Sequence, residues 1–195
     1  MSAKVASLSR IDTLLRSAAR DRRGVAAVEF VVLAPIFLLI MAGLVDFGGV
    51  LYTKFGLGAA VSAASNYAAI QIANVNSTGG STLAASLATV AANAQGTAWA
   101  NAAVTVNAGP SAASTAGVVT ASGTASAADA CYCPTGTAAA LTWGSAVACA
   151  AVCPAGGYAG KFVLIKASKT YSPFFSSYGL VTAGTLSTSS IVQVQ

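Results

Sequence analysis

The protein has 195 residues, enough for one domain with a modest core; 55% are hydrophobic and only 8% are charged, against roughly 25% charged in an ordinary soluble domain. That balance argues against a freely soluble cytoplasmic enzyme, and the absence of histidine removes His general bases, Ser-His-Asp and Cys-His nucleophile pairs and every His-containing metal site. Residues 1–23 carry six basic and two acidic groups, a local charge of +4 that leaves +1 for the other 172 residues. The net charge of +5 is therefore a topology signal, and no nucleic-acid partner is expected.

The basic segment ends at Arg22-Arg23-Gly24 and is followed by Val25-Ala-Ala-Val-Glu29-Phe30. Residues 30–45 are uncharged. With residues 25–29 they make a helix of about 31 Å, matching a hydrocarbon core of about 30 Å. One spanning helix is predicted, with the basic side in the cytoplasm and everything after Asp46 outside. Asp46 sits where the helix leaves the hydrocarbon. It is expected to be solvated there, with a subunit contact involving Lys54 or a partner as the other reading.

Leu57, Val61, Ala64, Ala68 and Ile72 continue one helical stripe, so the helix is expected to reach about residue 74, a rod of roughly 75 Å. Pro35 lies inside it and invites a kink that membrane helices tolerate, and Gly48-Gly49 and Gly56-x-Gly58 interrupt it further. Residues 74–80 (NVNSTGG) form a breaker cluster. Leu83, Leu87, Val90 and Ala94 then mark a second helix ending near Gly96.

From residue 102 the pattern alternates, and four short strands are predicted at 103–107, 118–122, 161–167 and 190–195. The last would place Ile191, Gln193 and Gln195 on one face and Val192 and Val194 on the other. The rest of 111–160, rich in Ala, Ser, Thr and Gly, reads mostly as loop. The expected fold is α+β. A long N-terminal transmembrane helix (25–52, continuing to about 74) leads into a small extracytoplasmic head (75–195) with a second helix and an antiparallel sheet of about four strands.

All four cysteines lie in that loop, as Cys131-x-Cys133 and Cys149-x3-Cys153. The first pair is too tight for the usual zinc spacing, and the extracytoplasmic position makes oxidation the default. Two disulfides crossing between the pairs are expected, and either cross-pairing satisfies the spacing. Tyr171, Phe174, Phe175 and Tyr178 cluster about Pro173, to pack against the long helix or to form a ligand platform. With only Asp129 and a few lysines as bases in the head, no catalytic residue, metal or cofactor is assigned and no enzyme is expected.

The junction at Gly24 is the most specific feature. A carboxylate at bilayer depth costs about 2.5 kcal/mol or more unless it finds a charge partner. A cut after Gly24 would make the α-amine of Val25 cationic, and a neighbouring copy could present it to Glu29. Basic residues, Gly, four apolar residues, Glu and an aromatic ahead of a membrane helix resemble the class III signal of type IV prepilins. The longer run from Gly24 to Leu57, GVAAVEFVVLAPIFLLIMAGLVDFGGVLYTKFGL, resembles the TadE-like pseudopilins of the tight-adherence (Tad/Flp) pilus system, as does YSPFF at 171–175.

The resemblance implies a leader, residues 1–24, cleaved by an aspartyl prepilin peptidase between Gly24 and Val25. Glu29 would be the fifth-position glutamate and Phe30 the aromatic beside it, both acting in assembly. The implied protein is a minor pilin-like subunit needed to assemble a Tad/Flp pilus. Its partners would be the prepilin peptidase, other pilin and pseudopilin subunits, the inner-membrane pilus platform and the lipid bilayer. The implied location is the bacterial inner membrane, single-pass, with the head in the periplasm or carried into an extracellular pilus. The cysteine-bearing loop 131–153 is not part of the minimal family pattern. Two other readings share some of these features: a signal-anchored envelope protein or adhesin without leader processing, which leaves Glu29 unexplained, and a secreted hydrolase using Asp129 or a lysine.

Overall fold

The computed structural model describes residues 23–195; the basic leader, residues 1–22, lies outside the described residues. Helix α1 (Arg23–Ile70) runs unbroken for 48 residues, about 72 Å, and stays helical through Pro35. It ends where the Gln71 N–H is shared between the carbonyls of Tyr67 and Ala68 and a short 3₁₀ turn, Ile72–Asn74, follows. Asn76 then makes the turn: its Oδ1 accepts the N–H groups of Thr78 (2.8 Å) and Gly79 (2.7 Å), an Asx turn that delivers the chain into helix α2 (Gly80–Asn93).

Seven strands follow: β1 (Asn101–Val106), β2 (Ser111–Thr115), β3 (Val118–Ser122), β4 (Thr135–Gly136), β5 (Leu141–Thr142), β6 (Phe162–Tyr171) and β7 (Gly184–Gln193). Five of them form one antiparallel sheet in the order β3-β2-β1-β6-β7, and β4 and β5 make a separate small hairpin. The sheet thus has five strands where the alternation predicted about four. The additional strand, β2, reads Ser-Ala-Ala-Ser-Thr, whose inward positions are Ala112 and Ser114. Such small side chains carry no hydrophobic alternation. Likewise β7 starts at Gly184 instead of near 190, because its first half is mostly Thr and Ser and is held as strand by pairing with β6 from Tyr171↔Gly184 onward.

Both helices lie on one face of this sheet, α2 over β1, β2 and β3 and the second half of α1 over β6 and β7. Between them sits a single core built from Leu57, Val61, Ala64 and Ala68 of α1, Leu83, Leu87 and Ala91 of α2, and Val104, Val163 and Ile165 of the sheet. Six of the ten buried helical residues in this core are alanine, which lets helices and sheet approach closely. Ile72 does not extend the stripe; it is exposed on the 3₁₀ turn. The inward positions alternate along each strand, as in Ala102, Val104 and Val106 of β1, and Val192 and Val194 face the same side on and beyond β7.

The sheet is as long as the helix it covers. Ten residues of β6 span about 33 Å, and the 22 residues 49–70 of α1 span about the same length. At one end the Tyr171 hydroxyl reaches the Asp46 carbonyl, and at the other Lys161 Nζ donates to the carbonyl of Val75 at 2.9 Å. The insert 123–160 therefore lies at the end of the head farthest from the first half of α1. Disulfides Cys131–Cys149 and Cys133–Cys153 staple it. Closing loops of this length stabilises a fold by about 3 kcal/mol each on a chain-entropy account, less where two loops overlap. Buried Asn107 ties it to the sheet: Nδ2 donates to the carbonyls of Ala128 (3.0 Å) and Ala130, and Oδ1 accepts the Phe162 N–H.

Two glycines of α1 are seats for aromatic rings. A Cβ on Gly56 would stand 2.7 Å from Trp99, and one on Gly49 would stand 2.5 Å from the Tyr171 hydroxyl, whereas one on Gly58 meets nothing within 4 Å. Gly56→Leu is expected to displace Trp99 and cost about 1–3 kcal/mol by overpacking. Gly58→Ala, on the exposed side, is expected to gain up to about 1 kcal/mol of helix propensity. Thermal melts of the two variants in detergent should move in opposite directions.

Candidate functional site

Residues 24, 25 and 27–41 of α1 are exposed or half-buried, and their large apolar side chains point outward on every side, with Phe30 71% exposed. A helix apolar all round needs a non-aqueous surround. Among the described residues this is the one helix long and apolar enough to cross a membrane.

Gly24, Val25, Glu29 and Phe30 occupy the first turns of this exposed helix. Val25 and Glu29, four residues apart, lie on one face. The stem of Glu29 lines a shallow, apolar groove with Val28, Val32 and Leu33.

The end of the apolar stretch is built differently from the sequence expectation. Asp46 is not solvated: its side chain is fully buried under the β6–β7 loop. Its Oδ1 accepts the N–H of Phe174 at 2.8 Å and its Oδ2 accepts the N–H of Phe175 at 3.1 Å. Tyr171 adds a third tie, its hydroxyl donating to the Asp46 carbonyl at 2.8 Å. Lys54 takes no part and donates instead to the Ser187 carbonyl at 3.2 Å. The loop approaches this closely because the helix presents small residues to it, Ala42, Gly43 and Gly49. The buried stripe of α1 thus runs from Ala42 through Asp46 and Thr53 to Leu57 and on to Ala68.

Burial, and behind it the neighbouring Asp46 charge, raise the Tyr171 phenol above its ordinary pKa. The hydroxyl stays protonated at neutral pH and keeps its role as donor. A raised pKa of this kind contributes stability that is complete below about pH 10, the range of a free tyrosine, and is lost as pH climbs through the shifted value. Phe175 and Tyr178 form a tilted pair with centroids 6.3 Å apart, while Phe174 points outward.

The acidic and basic groups of the head make structural contacts. Asp129 accepts the Ser77 N–H at 2.8 Å, and hydrogen bonds from Ser77 hold its carboxyl below the usual range, so it ties the insert to the α1–α2 turn. Lys169 donates to the Trp99 carbonyl at 2.7 Å and lies 4.2 Å over the Trp99 ring. A cavity of about 630 Å³ at the disulfide-stapled end, lined by Cys133, Val152, Tyr158 and Phe162 among others, contains no carboxylate, lysine or arginine. Among the described residues no group of three or more Cys, Asp and Glu side chains is placed to hold a metal.

Residues 24–66 match the family described as TadE-like protein, the segment that begins at Gly24 and ends within the buried stripe of α1. No curated protein and no solved structure matches the chain.

The Asp46 contact is open to a direct test. Asp46→Ala leaves two backbone donors without an acceptor, and each charge-assisted bond of this kind is worth about 1.5–3 kcal/mol. Amide hydrogen exchange and proteolysis in 172–183 should accelerate at least tenfold, with Asp46→Asn, which keeps one acceptor oxygen, intermediate. In a spectrophotometric titration, Tyr171→Phe should remove a component that ionises above the free-tyrosine range.

Proposed function

We propose that this chain, whose residues 24–66 match the TadE-like family, is a minor pilin-like subunit of a Tad pilus, cut by a prepilin peptidase after Gly24 and used in pilus assembly. The observation that carries the reading is Glu29: a carboxylate on an otherwise apolar, exposed helix, one turn beyond the residue whose α-amine the cut would free. The role is structural and not catalytic.

The mechanism is helix packing. In the bilayer the apolar surface of residues 25–45 is covered by lipid, and in an assembly it is covered by the equivalent helices of neighbouring subunits and of the inner-membrane platform. Dispersion contacts between such helices have little directional preference. A Glu29 carboxylate paired with the Val25 amine of a neighbour adds little net energy. It penalises any other register, since a shifted helix leaves both charges unpaired in hydrocarbon. The head, joined rigidly through the second half of α1, is then carried at a set height and angle outside the membrane.

Two outcomes test this. N-terminal sequencing of the protein from native membranes should begin Val-Ala-Ala-Val-Glu, and a protein still starting at Met1 or Ser2 refutes processing. Glu29→Ala should be cut at the same bond, insert at least as well as the wild type and fail to support piliation. Normal piliation by this variant, or loss of its cleavage, assigns Glu29 to another step.

A further inference from the structure

The β6–β7 loop, residues 172–183, has no charged side chain and contains Phe174, Phe175, Tyr178 and Leu180. Its position along α1 is set at two points. Asp46 holds the Phe174 and Phe175 N–H groups, and Leu180 lies 3.4 Å from where a Cβ on Gly43 would stand. Gly43 lies in the last turn of the uncharged stretch that begins at Phe30, and Asp46 directly follows that stretch. The loop is thus fastened at the height where the helix leaves the hydrocarbon.

Fastening does not hide its side chains. Phe174 is 81% exposed, Tyr178 53% and Leu180 52%. The turn that projects them is built in, a 3₁₀ turn Ser176–Tyr178 closed by Gly179 in the left-handed region at φ +65°. A side chain at Gly179 would be strained, so the exposure of Tyr178 follows from the backbone. On α1 itself Phe47 and Tyr52 are exposed at nearly the same height, and the first cation, Lys54, follows about 12 Å above Asp46. Aromatic rings at the edge of an apolar span, with cations farther out, match the chemistry of the layer between acyl chains and headgroups.

We propose that residues 172–183 form a second membrane contact, with Phe174, Tyr178 and Leu180 seated in the interfacial layer of the bilayer beside the point where α1 emerges. The inference rests on the reading that residues 25–45 span the bilayer. A single helix leaves the head free to rotate and tilt about its axis. A second contact, on the side of α1 that carries Asp46, sets the height and facing of the sheet relative to the membrane plane. Asp46 serves both contacts, since the loop that it holds also shields its charge from lipid.

The test uses the full chain in vesicles of phosphatidylethanolamine and phosphatidylglycerol carrying spin labels at shallow or deep acyl positions. Phe174→Trp, with Tyr178→Trp as a second probe, is read as the change in emission relative to the parent chain. Ile36→Trp reports the span and Val152→Trp the far end of the head. Expected is stronger quenching of the loop probes by shallow than by deep labels, the reverse order at residue 36, and no quenching at 152. Loop probes that behave like residue 152 while residue 36 is quenched overturn the contact and leave the span standing. Loop probes shielded from aqueous acrylamide yet untouched by lipid labels also overturn it, with another protein subunit as the cover. An unquenched residue 36 removes the span and the loop contact together.

Discussion

Two neighbouring backbone N–H groups, those of Phe174 and Phe175, turn toward α1 at the middle of the molecule, and the Asp46 carboxylate is their acceptor. The rest of the head's placement depends on this contact. It brings the loop joining β6 to β7 against the helix, and with the Tyr171 hydroxyl it fixes one end of the two longest strands. Because β6 is as long as the second half of α1, fixing that end places Lys161 against Val75 and sends the disulfide-stapled insert to the far tip. A charged group buried alone would be costly. Here it satisfies two orphan donors that the turn itself cannot satisfy, so carboxylate and loop stabilise each other.

The same contact divides α1 into two helices with different surroundings but a continuous backbone. Between Gly24 and Ala42 every large apolar side chain is exposed, and Glu29 is the one charged residue on that surface. Above it, one face carries small residues that seat Tyr171, Trp99 and the alanine-rich face of α2. A rigid connection between these halves transmits the orientation of the membrane helix to the head without a linker.

The insert at the far tip is a separate structural unit. Its own small core is Cys131, Cys153 and Ala159, and it is tied to the sheet by Asn107 and by Lys166, which donates to the Ala139 carbonyl at 2.9 Å. With few bulky side chains to bury, covalent bonds replace hydrophobic packing as its source of order. Tyr132 and Trp143, edge to face at 6.0 Å, are its main aromatic contact.

The sequence by itself determined the elements whose signal is local. These are the long apolar helix with its basic approach, the Leu57-to-Ala68 stripe, the break at 74–80, the second helix, and the strands with bulky alternating residues such as β1 and β6. It also pointed to the features at Gly24, Val25, Glu29 and Phe30, because a carboxylate in an apolar run stands out without any tertiary information. Only the tertiary structure decided the others. Strand β2 exists because β1 and β3 offer partners on both sides, and its Ala and Ser residues carry no pattern to read. The choice of Cys131–Cys149 over the other cross-pairing depends on how the insert folds, since spacing permits both. The role of Asp46 was the least legible. Its partners lie 128 and 129 residues away and are backbone amides, which have no residue identity, and the glycines and alanines that admit the loop leave no hydrophobic periodicity in a helix already apolar on every face.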